Sequence, residues 1–208
     1  MNAVSETRRY QSTRRAQQAA QTRADIVAAA TGLFESRGWS GTTIAGVAAE
    51  AGVAVDTIYA GFGSKSALLA AAKDAARDQD DDDVPLFDRP AYRDLGTGSR
   101  AERLRLAARL IAEVNERTRA LDAVWREAAA SDSAMAAQLS DREAGRRAAL
   151  AYGLERVLGR ELDQTAIDGL WAITSPDMYA KLVNARQWTQ EAYEDWLTVV
   201  LDRLTAPE

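Results

Sequence analysis

Ser40–Leu69, SGTTIAGVAAEAGVAVDTIYAGFGSKSALL, is the stretch whose reading decides the fold. Thr43 is a good N-cap residue, and Ile44, Val47 and Ala48 recur at i, i+3 and i+4, which predicts a two-turn helix with one apolar face. Ala51-Gly52-Val53 ends that helix. Gly52 supplies the positive φ that a sharp turn between two such helices needs, and Val53 tucks an apolar side chain beneath the crossing. A second short helix is expected from about Ala54 to Tyr59. Ile58 and Phe62 can face inward together, which leaves Val55, Asp56, Thr57 and Tyr59 pointing out. These are short or flat residues rather than a Lys/Glu brush, the profile of a helix that lies against a partner. Gly61 and Gly63 break it, and Ser64 caps the next helix with Lys65 in its first turn. A cation there opposes the helix dipole, which suggests an outside partner such as a phosphate. The stretch therefore reads as a helix-turn-helix closed by the start of a third helix.

Upstream, Thr22 is a plausible N-cap for a helix to about Arg37, with Ile26, Ala29, Ala30, Leu33 and Phe34 as its inner stripe. Gly38 ends it, and Trp39 is expected to pack back into a small three-helix core.

These residues resemble the N-terminal DNA-binding domain of TetR-family transcriptional regulators. The resemblance is carried by the AxxLFxxxGW run ending at Trp39, the Thr42-Thr43 pair, the AGV turn, TIY and FGSKxxLL, about fifty residues in order and spacing. It implies that Thr42 and Thr43 touch phosphate, that Tyr59 meets the DNA backbone, that Lys65 pairs with phosphate, and that Val55 and Thr57 lie on the exposed face of the recognition helix. A Val or Thr methyl can contact thymine C5-methyl groups, and the Thr hydroxyl can bond any base. Asp56 has two readings, a first-turn acid that suits the dipole or an acceptor for a cytosine N4 amine. Three positions depart from the family pattern. Ala54 stands where Ser often caps the recognition helix, Asp56 where a neutral residue is common, and Gly61 where an aromatic residue or His often sits.

The net charge of −5 looks wrong for a DNA binder, so its distribution matters. Residues 1–23 carry Arg8, Arg9, Arg14, Arg15 and Arg23 against Glu6, whereas residues 24–79 hold more acids than bases and the remainder is acidic. The positive potential is thus concentrated in an N-terminal arm. Such an arm is either a disordered, solubilising tail or, beside a DNA-binding domain, an element that enters a minor groove or lies along phosphates through Arg14, Arg15 and Arg23.

The chain has 208 residues, 47% of them apolar, enough for one large domain or two small ones. Abundant Ala and four Pro favour an all-α fold. The absence of Cys and His rules out a disulfide framework, thiolate chemistry, a zinc site of the usual kind and a Ser-His-Asp triad. No glycine-rich loop follows a strand, and no segment approaches about eighteen consecutive apolar residues. The expectation is a soluble, cytoplasmic, non-enzymatic chain without cofactor or metal, since nothing in the N-terminal residues reads as a secretory signal. Its domains are expected to be the basic arm 1–21, a helix-turn-helix domain 22–80 and a helical effector-binding and dimerisation domain 81–208. The boundary falls near the acidic run Asp80–Asp83, a solvated break, and Val84–Ser99 is read as a loop with at most one short helix.

The C-terminal part shows only helical periodicities. Ala101–Arg119 carries Leu104, Ala107, Ala108, Ile111 and Val114, and a second segment carries Leu121, Val124, Trp125 and Ala128. Ser131 or Asp132 starts a long helix to Leu158, stopped by Gly159. Asp163 caps a helix that ends before Ser175-Pro176; Pro176–Ala185 follows, and Thr189 caps Gln190–Leu204. That last apolar stripe is either core or part of a dimer interface. The tail from Trp171 resembles the final two helices of a TetR subgroup that pair as a four-helix bundle, and the family's operators are typically palindromic, so the resemblance implies a homodimer through the last two helices on double-stranded DNA. A two-fold dimer presents two recognition helices about 34 Å apart. It also implies a small-molecule effector, apolar or aromatic, between the middle helices. Ile111, Trp125, Met135, Tyr152 and Trp171 are candidate lining residues, with Asn115, Arg126 or Glu113 as polar anchors, although each aromatic can equally be core. Three functions remain open: a ligand-released repressor, a DNA-binding regulator without a small-molecule effector, and a helical enzyme or scaffold, for which no residue pattern speaks.

Overall fold

A computed structural model describes residues 3–78 and 88–206, with side chains from residue 14 onward except at position 91. Every element among them is helical. The chain divides into two compact units, Met1–Ala75 and Ala76–Glu208. The acidic run Asp80–Asp83 lies outside the described residues.

The first unit is built on α1 (Ala3–Gly41), α2 (Ile44–Ala51), α3 (Val55–Phe62) and the start of α4 (Lys65–Asp78). Thr22 does not begin α1. Its hydroxyl donates back to the Gln18 carbonyl at 2.9 Å, as a Thr inside a helix does. The reason is upstream, where Ala16-Gln17-Gln18-Ala19-Ala20-Gln21 is a run of strong helix formers with nothing to interrupt it. The expected arm is therefore helical from residue 3, and Arg14 and Arg15 are exposed on it. The regular helix does break at Gly38, where φ is 67° and ψ −170°. Ile26, Ala30, Leu33 and Phe34 of α1 are buried, as are Val47, Ala48, Ile58, Leu68, Leu69 and Ala72 of the three following helices. Full burial of each large side chain contributes about 1.5–3 kcal/mol. Trp39 stacks on Phe34, rings 6.1 Å apart and within 8° of parallel, so it joins this core.

The second unit is centred on α6 (Arg100–Ser131), which follows the short α5 (Pro90–Arg93) and a 3-10 turn, Asp94–Gly96. The two segments expected over 101–131 form one helix, because no Gly, Pro or capping residue separates Arg119 from Leu121. A full capping box, Ser99 with Glu102, sets its start. Around α6 pack α7 (Ser133–Leu158), α9 (Pro176–Tyr179) and α10 (Gln190–Leu204), while α8 (Gln164–Ile173) lies on α7. Asp132, Asp163 and Thr189 cap α7, α8 and α10, and Gly159, at φ 69°, ends α7. Pro176–Ala185 is one turn of α-helix followed by a π-type turn. Tyr193, Leu197 and Leu201 of α10 are fully buried in this unit's own core, with Leu104, Ala108 and Tyr179. Among the described residues no single helix is long and apolar enough to cross a membrane.

Candidate nucleic-acid interface

Helix α2, which leads into the turn before α3, is fixed at both ends by hydrogen bonds from backbone N–H groups. Thr43 Oγ1 accepts from the Gly46 N–H at 3.0 Å, the expected cap. Gly52 takes the left-handed conformation, φ 66°, and Val53 N–H donates to the Ala48 carbonyl at 3.0 Å, closing α2 in the manner of a Schellman turn. The helix that follows, α3, starts at an Ala54 that offers no side-chain cap, and it runs through Gly61, which lies inside the helix; Gly63 at φ 77° ends it. Gly61 does not break α3 because its backbone is helical and it closes no turn.

Ile58 is buried and Phe62 half-buried, so the outward face of α3 is Val55, Asp56, Thr57, Tyr59, Ala60 and Gly61, all exposed. Four of these were expected from the sequence. Ala60 was not, although helical phase alone places it opposite Ile58 and beside Asp56.

Three other expected contacts have internal roles. Thr42 is 1% exposed, and its hydroxyl is directed at the carbonyls of Gly38, 2.8 Å away, and Leu33, 3.0 Å away. It locks the break at Gly38, so its hydroxyl is not offered to a phosphate. Arg23 donates from Nη1 to the Gly61 carbonyl at 3.2 Å and lies over the Phe62 ring at 4.3 Å, which ties α1 to the end of α3. Lys65 donates from Nζ to the Trp39 carbonyl and sits 4.1 Å from the centre of the Trp39 ring. The cation at the start of α4 therefore has a partner within the head, and no outside one is needed to explain it.

The residues expected to line an effector site do not share one surface. Trp125 and Met135 are fully buried. Asn115 is also buried, and its Nδ2 donates to the Thr174 carbonyl at 3.1 Å, joining α6 to the end of α8. Arg126 pairs with Asp177 at 3.0 Å, Ile111 packs half-buried on the core, and Glu113, the other suggested anchor, pairs with Arg109 at 2.9 Å. Tyr152 is 48% exposed on the outside of α7, so it cannot line an interior shared with Trp125. Two arginines that the sequence reading passed over, Arg142 and Arg146, cover Trp125 and Trp171 at 4.3 and 4.9 Å from the ring centres. They are one turn apart on α7, and that spacing opposite two Trp was the available signal. Nearby, burial pushes the Tyr193 phenol up to about 12, so it stays neutral.

Residues 26–72 match the family profile described as bacterial regulatory proteins, tetR family. No curated protein matches the chain. Among solved structures, a Rhodococcus sp. protein assigned to the TetR family of transcriptional regulators superposes with a TM-score of 0.68 at 20% identity, covering 90% of this chain and 100% of its own. A Mesorhizobium loti protein assigned to the same family gives 0.68 at 18% identity over 90% of this chain and 96% of its own. A Clostridium perfringens protein assigned as a fatty acid metabolism regulator gives 0.63 at 16% identity over 88% and 100%. At such identities the likeness is one of fold. Its head is that of the tetR family of bacterial regulatory proteins, and the fold of the whole chain is one shared with TetR-family regulators.

Proposed function

We propose that the protein is a sequence-specific, DNA-binding transcriptional repressor that acts as a homodimer in the cytoplasm, binds a palindromic operator through α3, and is released from it by a small-molecule effector. The observation that carries the reading is the outward face of α3, a row of exposed short side chains on a tetR-family head, with its inward residues buried. Val55, Asp56, Thr57 and Tyr59 meet the groove and its rim, and Thr43 meets the backbone at the start of α2. Arg14 and Arg15, exposed on the long α1, supply positive charge that α3 lacks. Arg23 and Lys65 act by positioning α3 and α4 rather than as phosphate ligands.

Dimerisation follows from the two-fold logic of such operators, with the last two helices as the interface. The effector is an apolar or aromatic compound held in the second unit, where Trp125 and Trp171 lie beneath cationic side chains. Binding there shifts the DNA-competent population only by its differential affinity for the two states.

The test is selection of bound fragments from genomic DNA by the purified chain, followed by titration of the recovered duplex against salt. Affinity is expected in the nanomolar range, falling with salt as counterions are displaced. Light scattering is expected to give the mass of two chains. Failure to retain any duplex at low ionic strength overturns the proposal. A thermal-shift screen of metabolites separates a ligand-released repressor from one without an effector, because a specific ligand raises the melting temperature by mass action.

A further inference from the structure

Reading guanine directly requires a donor, since its major-groove edge presents only the N7 and O6 acceptors, and Arg or Lys is the commonest supplier. The recognition helix α3, VDTIYAGF, carries neither, and no Asn or Gln, so its side-chain donors are the Thr57 and Tyr59 hydroxyls, which lie to either side of Asp56 and Ala60. Ile58 and Phe62 define its inward direction, and a step of 100° per residue puts Asp56 and Ala60 together at the centre of the opposite face. The Asp56 carboxylate is exposed and has no hydrogen-bond or ion-pair partner among the described residues, and the N-cap position belongs to Ala54. The patch beside it is smooth. Ala60 and Gly61 are exposed, and a Cβ added to Gly61 would meet nothing within 4 Å beyond its chain neighbours and the backbone of its own helix. Glycine inside a helix costs about 1 kcal/mol relative to alanine, and packing within the head does not require it at this position. What it leaves is room for another surface to approach the backbone closely.

We propose that α3 reads its half-site with one acceptor and a set of methyl groups. Asp56 accepts from the N4 amine of a cytosine, and the methyls of Ala60 and Thr57 pack on thymine C5-methyl groups, so the bases facing the Asp56–Ala60 patch are cytosine and thymine. The inference rests on α3 being the helix that enters the groove. Asp56 also works by exclusion, because guanine would set its two acceptors against a carboxylate in a desolvated contact. Adenine is a poorer partner than cytosine, since its N7 acceptor lies next to the N6 amine and opposes the second carboxylate oxygen.

The full-length chain and its Asp56→Asn variant are each used to select duplexes from a randomised pool, and binding is then measured by fluorescence anisotropy. For the unaltered chain, exchanging the selected C·G pair for T·A is expected to weaken binding about tenfold or more. Replacing contacted thymines by deoxyuridine, which removes only the methyl, is expected to weaken it several-fold. Asp56→Asn is expected to bind with the same salt slope but to select adenine where the unaltered chain selects cytosine, because an amide pairs with adenine N6 and N7. Identical selected sites for the two proteins overturn the inference, as does unchanged affinity after deoxyuridine replacement at every thymine of the half-site. In either case the duplex is still bound and the regulator reading stands. A chain that retains no duplex at low ionic strength overturns both.

Discussion

The two units use their polar groups in opposite ways. In the second unit they are spent joining helices. Arg100 bonds Asp202, the Asp202 carbonyl and Thr205 at the end of α10, and Arg147 bonds Asp168 and Gln164 of α8. Tyr179 donates to Glu116, which also holds Arg119. In the head, by contrast, the outward face of α3 presents the side chains of Asp56, Thr57 and Tyr59 to solvent without partners among the described residues, while Arg23, Thr42 and Lys65 are turned inward to fix the short helices. A head this small has little apolar burial to spare, and each internal polar tie removes a group from the pool available to DNA. What is left outside is therefore the better guide to function than the list of charged residues.

The contrast is broken most strongly in the second unit's core. Trp125→Ala removes a fully buried indole near the C-terminal end of α6 and is expected to cost about 3–5 kcal/mol, read as a large drop in the urea midpoint. Next comes Asn115→Ala, which strips the buried Thr174 carbonyl of its donor and is expected to cost about 1–3 kcal/mol. A cost below about 0.5 kcal/mol in the same denaturation assay would mean that the seam between α6 and α8 is not held by this bond.

Much of this was legible in the sequence, for physical reasons that differ between the regions. Caps and stops announced themselves because Thr43, Ser64, Asp132, Asp163 and Thr189 satisfy orphan N–H groups and Gly38, Gly52 and Gly159 adopt positive φ. The head's helix order followed from them. The start of α1 was missed because Thr22 has the side chain of a cap but sits in a helix-forming run, where its hydroxyl turns back on Gln18 instead. The roles of Thr42, Arg23 and Lys65 were missed for a common reason. Their partners, Leu33, Gly61 and Trp39, include carbonyls that carry no residue-type signal, since every residue has one. Tyr152 was placed indoors because an aromatic ring on a helix says nothing about which face it takes until the neighbours are known.

Within the head, Thr42→Val sharpens the distinction between a group that binds DNA and one that shapes the binder. The variant keeps the volume but leaves the Gly38 and Leu33 carbonyls short of a donor, and it is expected to lower stability by about 1–2 kcal/mol. Affinity for the operator at temperatures well below melting is expected to change little. A large loss of affinity in a fully folded variant would return Thr42 to the interface.

Lys65 offers the smallest effect and the most exacting comparison, because one cation can serve either purpose. Its ammonium already has the Trp39 carbonyl and ring, an arrangement worth about 0.5–1 kcal/mol at a partly exposed site, so Lys65→Gln is expected to destabilise the head by about that amount. Stability alone does not distinguish the roles, since a lysine has donors to spare for a phosphate. The dependence of binding on salt does. Each phosphate neutralised by a cation contributes about 0.9 to the slope of log K against log salt, and removing a cation that only props up the head contributes nothing. The expected result is a lower melting temperature with an unchanged slope. A slope shallower by about 0.9 for each lysine lost would show that the start of α4 faces the duplex backbone as well as Trp39. The boundary between inward and outward polar groups in the head would then have to be redrawn at that residue.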